Sequence, residues 1–361
     1  MSTQILKSLP AFTLLGCALL SGAAPTTGAN SPASAKDLVL NVAALDAKGQ
    51  PVTDLTSADF QIFEDGKLQP ISSFKANANA RPAPATLILL DLLNSTPGHR
   101  EFLSTLIDQA LEALGPGDSV YLYVLANDGS LIHVHAVSQP RADDGLWTKR
   151  IHSLMDQAMQ KAYGARPRDD KDGGIRAATT FRTLDELENR LSKVEGPKTM
   201  LWITAGSPTW LRYPYGCKDV SFPQGSGSYV AAKCTSDFTK FLQGQTLDYT
   251  PFLQHFSAKM EQDDMVLNSV EVTRDGTLPP ADPGTAKDTL IKLSGLTGGR
   301  LYTGGEVVRA IGESLQGNHA RYQLALESAS ADGKYHKLRV VCLRKGVRVE
   351  TQRGYFAAPT P

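Results

Sequence analysis

The run TLILLDLL, Thr86 to Leu93, decides the fold. It is almost wholly apolar and shows no alternation, which is the pattern of a strand buried on both faces of a parallel sheet. A helical period follows in REFLSTLIDQALEAL, residues 100–114, closed by Gly115-Pro116-Gly117, and then a second buried run, SVYLYVLA, at 119–126. These three pieces predict a βαβ unit. SLIHVHAV, 130–137, is placed to pair back as a hairpin across Asp128-Gly129.

Downstream the alternation continues. Helices are predicted over GLWTKRIHSLMDQAMQKA (145–162) and TLDELENRLSKV (183–194), then the apolar strand TMLWITA (199–205). Helix TPFLQHFSAKMEQ, strand MVLNSVEV, helix TAKDTLIKLSGL, strand RLYT and helix GEVVRAIGESLQ complete the series. Strands alternating with helices imply a doubly wound, mostly parallel sheet with helices on both faces, an α/β fold.

Both ends of the chain read differently. LVLNVAAL, FQIF and QPISSF, between 38 and 74, are short strands separated by the turn signals DAKG and Asp65-Gly66. RYQLALES, YHKLRVVCLR and VRVETQRGYF return to this pattern after 320. Isolated strands at either end would leave bare edges and an uncovered apolar face, so the two ends are expected to pair into a small β-sandwich. The expected organisation is a signal peptide at 1–24, an N-terminal β segment at 36–80 and an α/β domain at 84–317 with an insertion at 207–249. A C-terminal β segment at 318–358 then pairs with 36–80. The Pro-rich RPAPA at 81–85 marks the first boundary.

The first 24 residues carry one cation, Lys7, then the apolar LPAFTLLGCALL and the small residues Ser21, Gly22, Ala23 and Ala24. That is the order of a secretory signal peptide, cleaved near Ala23 or Ala24. Leu14-Leu15-Gly16-Cys17 also offers a lipobox, with a lipid anchor at Cys17, although apolar residues continue past it. The apolar run is too short for an integral membrane span. Export permits disulfides, and Cys217 and Cys234 bracket a Gly/Ser-rich stretch that a local bridge would staple. Cys342, inside LRVVCL, reads as a small buried hydrophobe.

With 361 residues, 41% of them apolar, the chain can bury a full core. Its 37 basic and 37 acidic residues leave no net field to draw it onto nucleic acid or anionic lipid.

Three stretches together resemble the von Willebrand factor A-related proteins of the acidobacterial type. They are VTDLTSADFQIFEDGKLQPISSF (52–74), LILLDLLNST (87–96), and the segment from LSGLTGGRLYT (293–303) through ARYQLALES to DGKYHKLRVVCLRKGVRVETQRGYFA, ending at 357. The resemblance implies a Rossmann-like sheet with a ligand crevice at the carboxyl ends of its strands. It also implies a metal-ion-dependent adhesion site: an Asp-x-Ser-x-Ser loop after the first strand, a Thr from a later loop and an Asp after the fourth strand, all hard oxygen ligands for magnesium. Carried over residue by residue, Asp91 matches the first Asp, Ser95 the second Ser, and Thr179 or Thr180 the loop Thr. Leu93 stands where the first Ser belongs, and Ala205-Gly206 where the family has Asp-Gly. Asn94 and Ser207 are candidates to compensate. The expected metal set is therefore Asp91, Ser95 and Thr180, in a degenerate site that either lacks a cation or holds magnesium weakly.

Other constellations are weaker. His133 and His135 lack a third ligand, and Asp169, Asp170 and Asp172 lack the spacing and closing Glu of a calcium loop. Gly206-Ser207 lacks the second glycine of a nucleophile elbow. Gly298-Gly299 and Gly304-Gly305 fit no phosphate-loop pattern and read as turns. The insertion carries Trp210, Tyr213, Tyr215, Phe222 and Tyr229 on what reads as a long loop, either a recognition surface or a self-packed lid.

The expected function is an exported, non-enzymatic module that binds a protein ligand through a crevice of Asp91, Asn94, Ser95, Thr179, Thr180, Ser207 and Trp210. The alternatives are a hydrolytic enzyme reusing that crevice and a structural part of an envelope assembly docking through the sandwich.

Overall fold

Alternation at period two places successive side chains on opposite faces, and the N-terminal strands obey it. β1 (Asp37–Leu45) turns Leu38, Leu40, Val42 and Ala44 into a core, and β2 (Phe60–Glu64) adds Phe60 and Ile62. β3 (Lys67–Gln69) and β4 (Ser73–Ala76) complete this segment. The computed structural model describes residues 37–76, 85–95, 119–136, 147–164, 173–213, 217–236, 245–272, 285–303, 306–317, 321–327, 332 and 334–357. Outside them lie the signal-peptide and lipobox residues, the first predicted helix, most of the RPAPA stretch, Asp169, Asp170, Asp172 and Tyr215.

The middle of the chain supplies β5 (Ala85–Asp91), β6 (Ser119–Leu125), β7 (Leu131–Ala136), α1 (Trp147–Gly164), α2 (Gly174–Leu191) and β8 (Lys198–Thr204). Next come β9 (Trp210–Tyr213), β10 (Val220–Gln224), β11 (Gly227–Ser236), β12 (Gln245–Asp248), α3 (Thr250–Gln262) and β13 (Met265–Glu271). α4 (Ala286–Thr297), β14 (Leu301–Thr303) and α5 (Val307–Gly317) follow, and β15 (Arg321–Glu327), β16 (Tyr335–Cys342), β17 (Arg348–Glu350) and β18 (Gly354–Phe356) close the series.

The central sheet has the order β14-β13-β8-β5-β6-β7. All its neighbours are parallel except β6 and β7, which form the hairpin across Asp128-Gly129. Every residue of β5, β8 and β13 is buried, because both faces of the sheet are covered. Phe181, Leu184 and Leu187 of α2, Phe252 and Phe256 of α3, and Leu290 and Leu293 of α4 pack on one face. Met155 and Met159 of α1 and Ala310 and Ile311 of α5 pack on the other. The chain passes from β5 to β6 on one side and returns to β8 on the other, so the strand order reverses between β5 and β8. In open α/β sheets that reversal opens a crevice at the carboxyl ends of the strands.

The two ends of the chain pair. β1 runs antiparallel to β15 from Asp37↔Glu327 to Ala43↔Arg321, within a sheet of order β17-β1-β15-β4. β16 pairs with β2 in a second sheet of order β18-β16-β2-β3. Leu40, Val42, Ile62, Leu324 and Val340 fill the space between them, each fully buried aliphatic side chain contributing about 1.5–3 kcal/mol. Tyr322 crosses this core and donates its hydroxyl to Val52 O at 2.7 Å.

Two expectations require correction. The insertion is not a long loop: β9–β12 form an antiparallel sheet of order β10-β11-β12-β9. Phe222, Ala231, Ala232 and Leu247 of that sheet enter the same core as α2 and α3. Its glycines and serines supply a tight turn at Gly225-Ser226 between β10 and β11. The second correction concerns α2, which begins at Gly174 rather than Thr183, because Ala177, Phe181 and Leu184 already follow helical spacing onto the sheet. Thr179 and Thr180 are therefore helical residues, not loop residues.

Cys217 and Cys234 form a disulfide, with Cα atoms 5.7 Å apart. Cys342 is a free, half-buried thiol against the sandwich core. Among the described residues no helix is long and apolar enough to cross a membrane.

Candidate functional site

Asp91 is the last residue of β5, and its carboxylate is built into the point where the strand order reverses. Leu90 stands beside Ile203 in the ladder, which sets Asp91 beside Thr204, the last residue of β8. The Thr204 hydroxyl donates to Asp91 Oδ2 at 2.7 Å and accepts from Gly206 N at 2.8 Å. Trp202, two residues earlier and so on the same face, donates its indole N–H to Oδ2 at 3.2 Å. Asn94 donates to Oδ2 from its side chain at 2.7 Å and to Oδ1 from its backbone at 3.1 Å. Asp91 is 0% exposed, and this burial raises its carboxyl above the ordinary range against the pull of all four donors.

Asn94 also joins two elements. Its Nδ2 donates to Thr180 Oγ1 at 2.8 Å, so a single amide nitrogen links the end of β5 to α2. Thr180 is fully buried, and Thr179 beside it is half-buried. Ser95 is buried and turns its hydroxyl back to the Asp91 carbonyl at 2.8 Å, where it braces the turn rather than the carboxylate. Leu93 is 7% exposed and packs into the core with α2. Ser207 is buried, and its Oγ has no hydrogen-bond partner among the described residues.

The structure thus gathers Asp91, Asn94, Ser95 and Thr180. It places Trp210 on the inserted sheet, 47% exposed, where its indole donates to Asp248 at 2.9 Å and Lys292 of α4 lies 5.9 Å from its ring. Phe222 is wholly buried and Tyr229 stacks on His255, so much of the aromatic content of the insertion packs inward. His133 is exposed and stacks on Tyr123 at 4.9 Å.

Three residues escaped the sequence reading. Trp202 and Thr204 complete the carboxylate's shell, and the phase of LWIT against ILLD could have shown that they share its face. Glu271 ends β13 in register with Thr204, which puts a second buried carboxyl on that face two strands from Asp91. Burial raises its carboxyl too, and Oε2 has no partner among the described residues.

A hard divalent cation needs carboxylate and hydroxyl lone pairs converging on one point. Here Asp91 Oδ2 already accepts three hydrogen bonds, and an N–H donor lies between it and the Thr180 hydroxyl. An amide N–H cannot ligate, and Leu93 and Ala205 offer no side-chain oxygen. The residues present do not fit a magnesium ion. Among the described residues, no group of three or more His, Cys, Asp or Glu side chains is arranged to hold a metal.

No family model matches the sequence, and no curated protein matches it. Among solved structures it is similar to the pilus adhesin SpaC from Lactobacillus rhamnosus GG, in its open conformation. That match has 11% identity and a TM-score of 0.39, over 83% of this chain and 41% of that one. It is similar to a von Willebrand factor type A protein from Catenulispora acidiphila, with 8% identity and a TM-score of 0.38, over 91% of this chain and 75% of that one. A third is the manganese-loaded TRAP protein of Plasmodium vivax, at 10% and 0.36, over 84% and 100%. This chain spans less than half the length of the adhesin. Likenesses this loose transfer neither residues nor roles.

Proposed function

We propose that this chain is an exported, non-enzymatic module of the von Willebrand factor A type, of the acidobacterial kind, which binds a protein ligand at the strand-end crevice without a cation. One observation carries the reading: the Asn94 amide bridges Asp91 and Thr180, the two positions a cation would otherwise connect. The crevice is held in shape by N–H and O–H donors that are part of the chain, so its geometry does not depend on a metal. The Cys217–Cys234 disulfide supports an oxidising compartment, as exported proteins meet. A hydrolase would need a nucleophile next to a base, and Ser207 Oγ has no hydrogen-bonded base among the described residues.

The test is capture of a ligand from the exported fraction of the source cells, in chelator, by the wild type and by Asn94→Ala. Capture in chelator that the variant loses, with its fold intact by circular dichroism, supports the crevice. Capture that requires a divalent cation contradicts the metal-free reading. Capture that survives Asn94→Ala transfers the contact to another face, the terminal sandwich first. Turnover on ester, peptide or glycoside substrates would replace the reading with a hydrolytic one.

A further inference from the structure

A cavity of about 240 Å³ lies away from the crevice, where the β-sandwich meets the turn after α4. Its wall runs from Gly299 and Arg300 across Arg339 of β16 to the segment Arg348–Arg353. Four arginines, Arg300, Arg339, Arg348 and Arg353, and one carboxylate, Glu350, are among its lining residues. Arg300 pairs with Glu350 and, at 2.6 Å, with Glu313 of α5, while Arg348 reaches Glu350 at 3.3 Å. Those carboxylates answer two of the four cations. Arg339 lies 4.2 Å from the centre of the Phe63 ring, and neither it nor Arg353 has an acidic partner among the described residues.

A second observation is independent of charge. Gln352 lines the cavity at 5% exposure, and its Nε2 has no hydrogen-bond partner among the described residues; neither does Thr351 Oγ1 beside it. Leaving a buried donor unmet is destabilising, and a bound acceptor removes that cost. Gly298, at φ +82°, holds the wall in place, since a Cβ there would meet Gln352 N at 2.8 Å. Arg353 N donates to Gly295 O at 2.7 Å and fixes the other end of the segment.

We propose that this cavity is an anion site that takes a compact oxyanion of the phosphate class, held by the guanidinium of Arg353 and the amide of Gln352, while Arg339 stays stacked on Phe63 and adds only its positive field. A tetrahedral oxyanion presents its oxygens in three dimensions and can accept from a guanidinium and an amide that converge from different directions, whereas the acceptor sites of a carboxylate lie in one plane. The site is independent of the crevice and of the protein-binding role.

Calorimetric titration of the intact protein with inorganic phosphate, at ionic strength held constant with chloride, tests it. Saturable binding is expected, weakened about tenfold or more in Arg353→Gln, as the loss of one charge-assisted hydrogen bond predicts. Gln352→Met keeps the volume and removes the donor, so either variant carries the test if the other misfolds. The same titration with phosphoserine tells a carried phosphate from the free ion, and saturable binding of either supports the site. Absence of saturable heat with both probes, or binding that is unchanged in the folded variants, overturns it.

Discussion

The side-chain amide of Asn94 donates to the Asp91 carboxylate over 2.7 Å, inside a shell where Thr204 and Trp202 donate to the same oxygen. A neutral donor thereby satisfies a fully buried carboxylate, and hydrogen bonds tie the ends of β5 and β8 to α2.

Replacing that amide with a second carboxylate should reverse the logic. In Asn94→Asp two carboxyl groups share a buried site, which is costly unless one is protonated or a cation enters. We expect a loss of roughly 2–4 kcal/mol in chelator, from the lost hydrogen bonds and the added buried charge. Millimolar manganese should recover part of it. Thermal melts with and without metal read this directly, and a variant as stable as the wild type in chelator contradicts it.

Gly298 sits at φ +82° with Gln352 N in the path of any Cβ. Gly298→Ala should cost about 2 kcal/mol or more through backbone strain and the displaced segment. Urea unfolding of the two proteins gives the difference, and equal midpoints would show that the α4 terminus yields easily.

Cys217 and Cys234 are 17 residues apart and tie the turn region before β10 to β11. Converting both to Ser should destabilise by about 3 kcal/mol in the chain-entropy account. Reductant should lower the melting point of the wild type and leave the double variant unmoved.

Glu188 of α2 has a fully buried side chain that pairs with Lys259 of α3, with Asp185 also 3.0 Å from that ammonium and Asp263 adding like charge. Burial pushes its carboxyl from 4.5 up to about 7. The folded state then holds a proton that the unfolded state has released, so this group's contribution to stability falls as pH rises from 4.5 to about 7. Glu188→Gln should flatten the wild type's decline across that window. Urea midpoints at several pH values decide it, and parallel curves would deny Glu188 the role.

Legibility in the sequence followed how local each signal was. TLILLDLL and TMLWIT announce buried parallel strands because both faces are covered, and the turn at Asp128-Gly129 announces the β6–β7 hairpin. Asp91 stood out as the one charge in an apolar run. The Asn94–Thr180 bond spans 86 positions and exists only through packing, so no spacing rule could find it. Glu271 was hidden likewise, since its nearness to Thr204 depends on the register of β13. The inserted sheet was missed because its glycines and serines resemble a loop, while Phe222 and Leu247 show their burial only once α2 and α3 are in place.

Calorimetric titration of the purified protein with magnesium, manganese and calcium, repeated in Asp91→Ala, tests the central claim most directly. A crevice closed by the Asn94 amide predicts no saturable heat from any of the three ions in either protein. Micromolar binding by the wild type that disappears in Asp91→Ala would contradict it and restore a cation to the strand-end site.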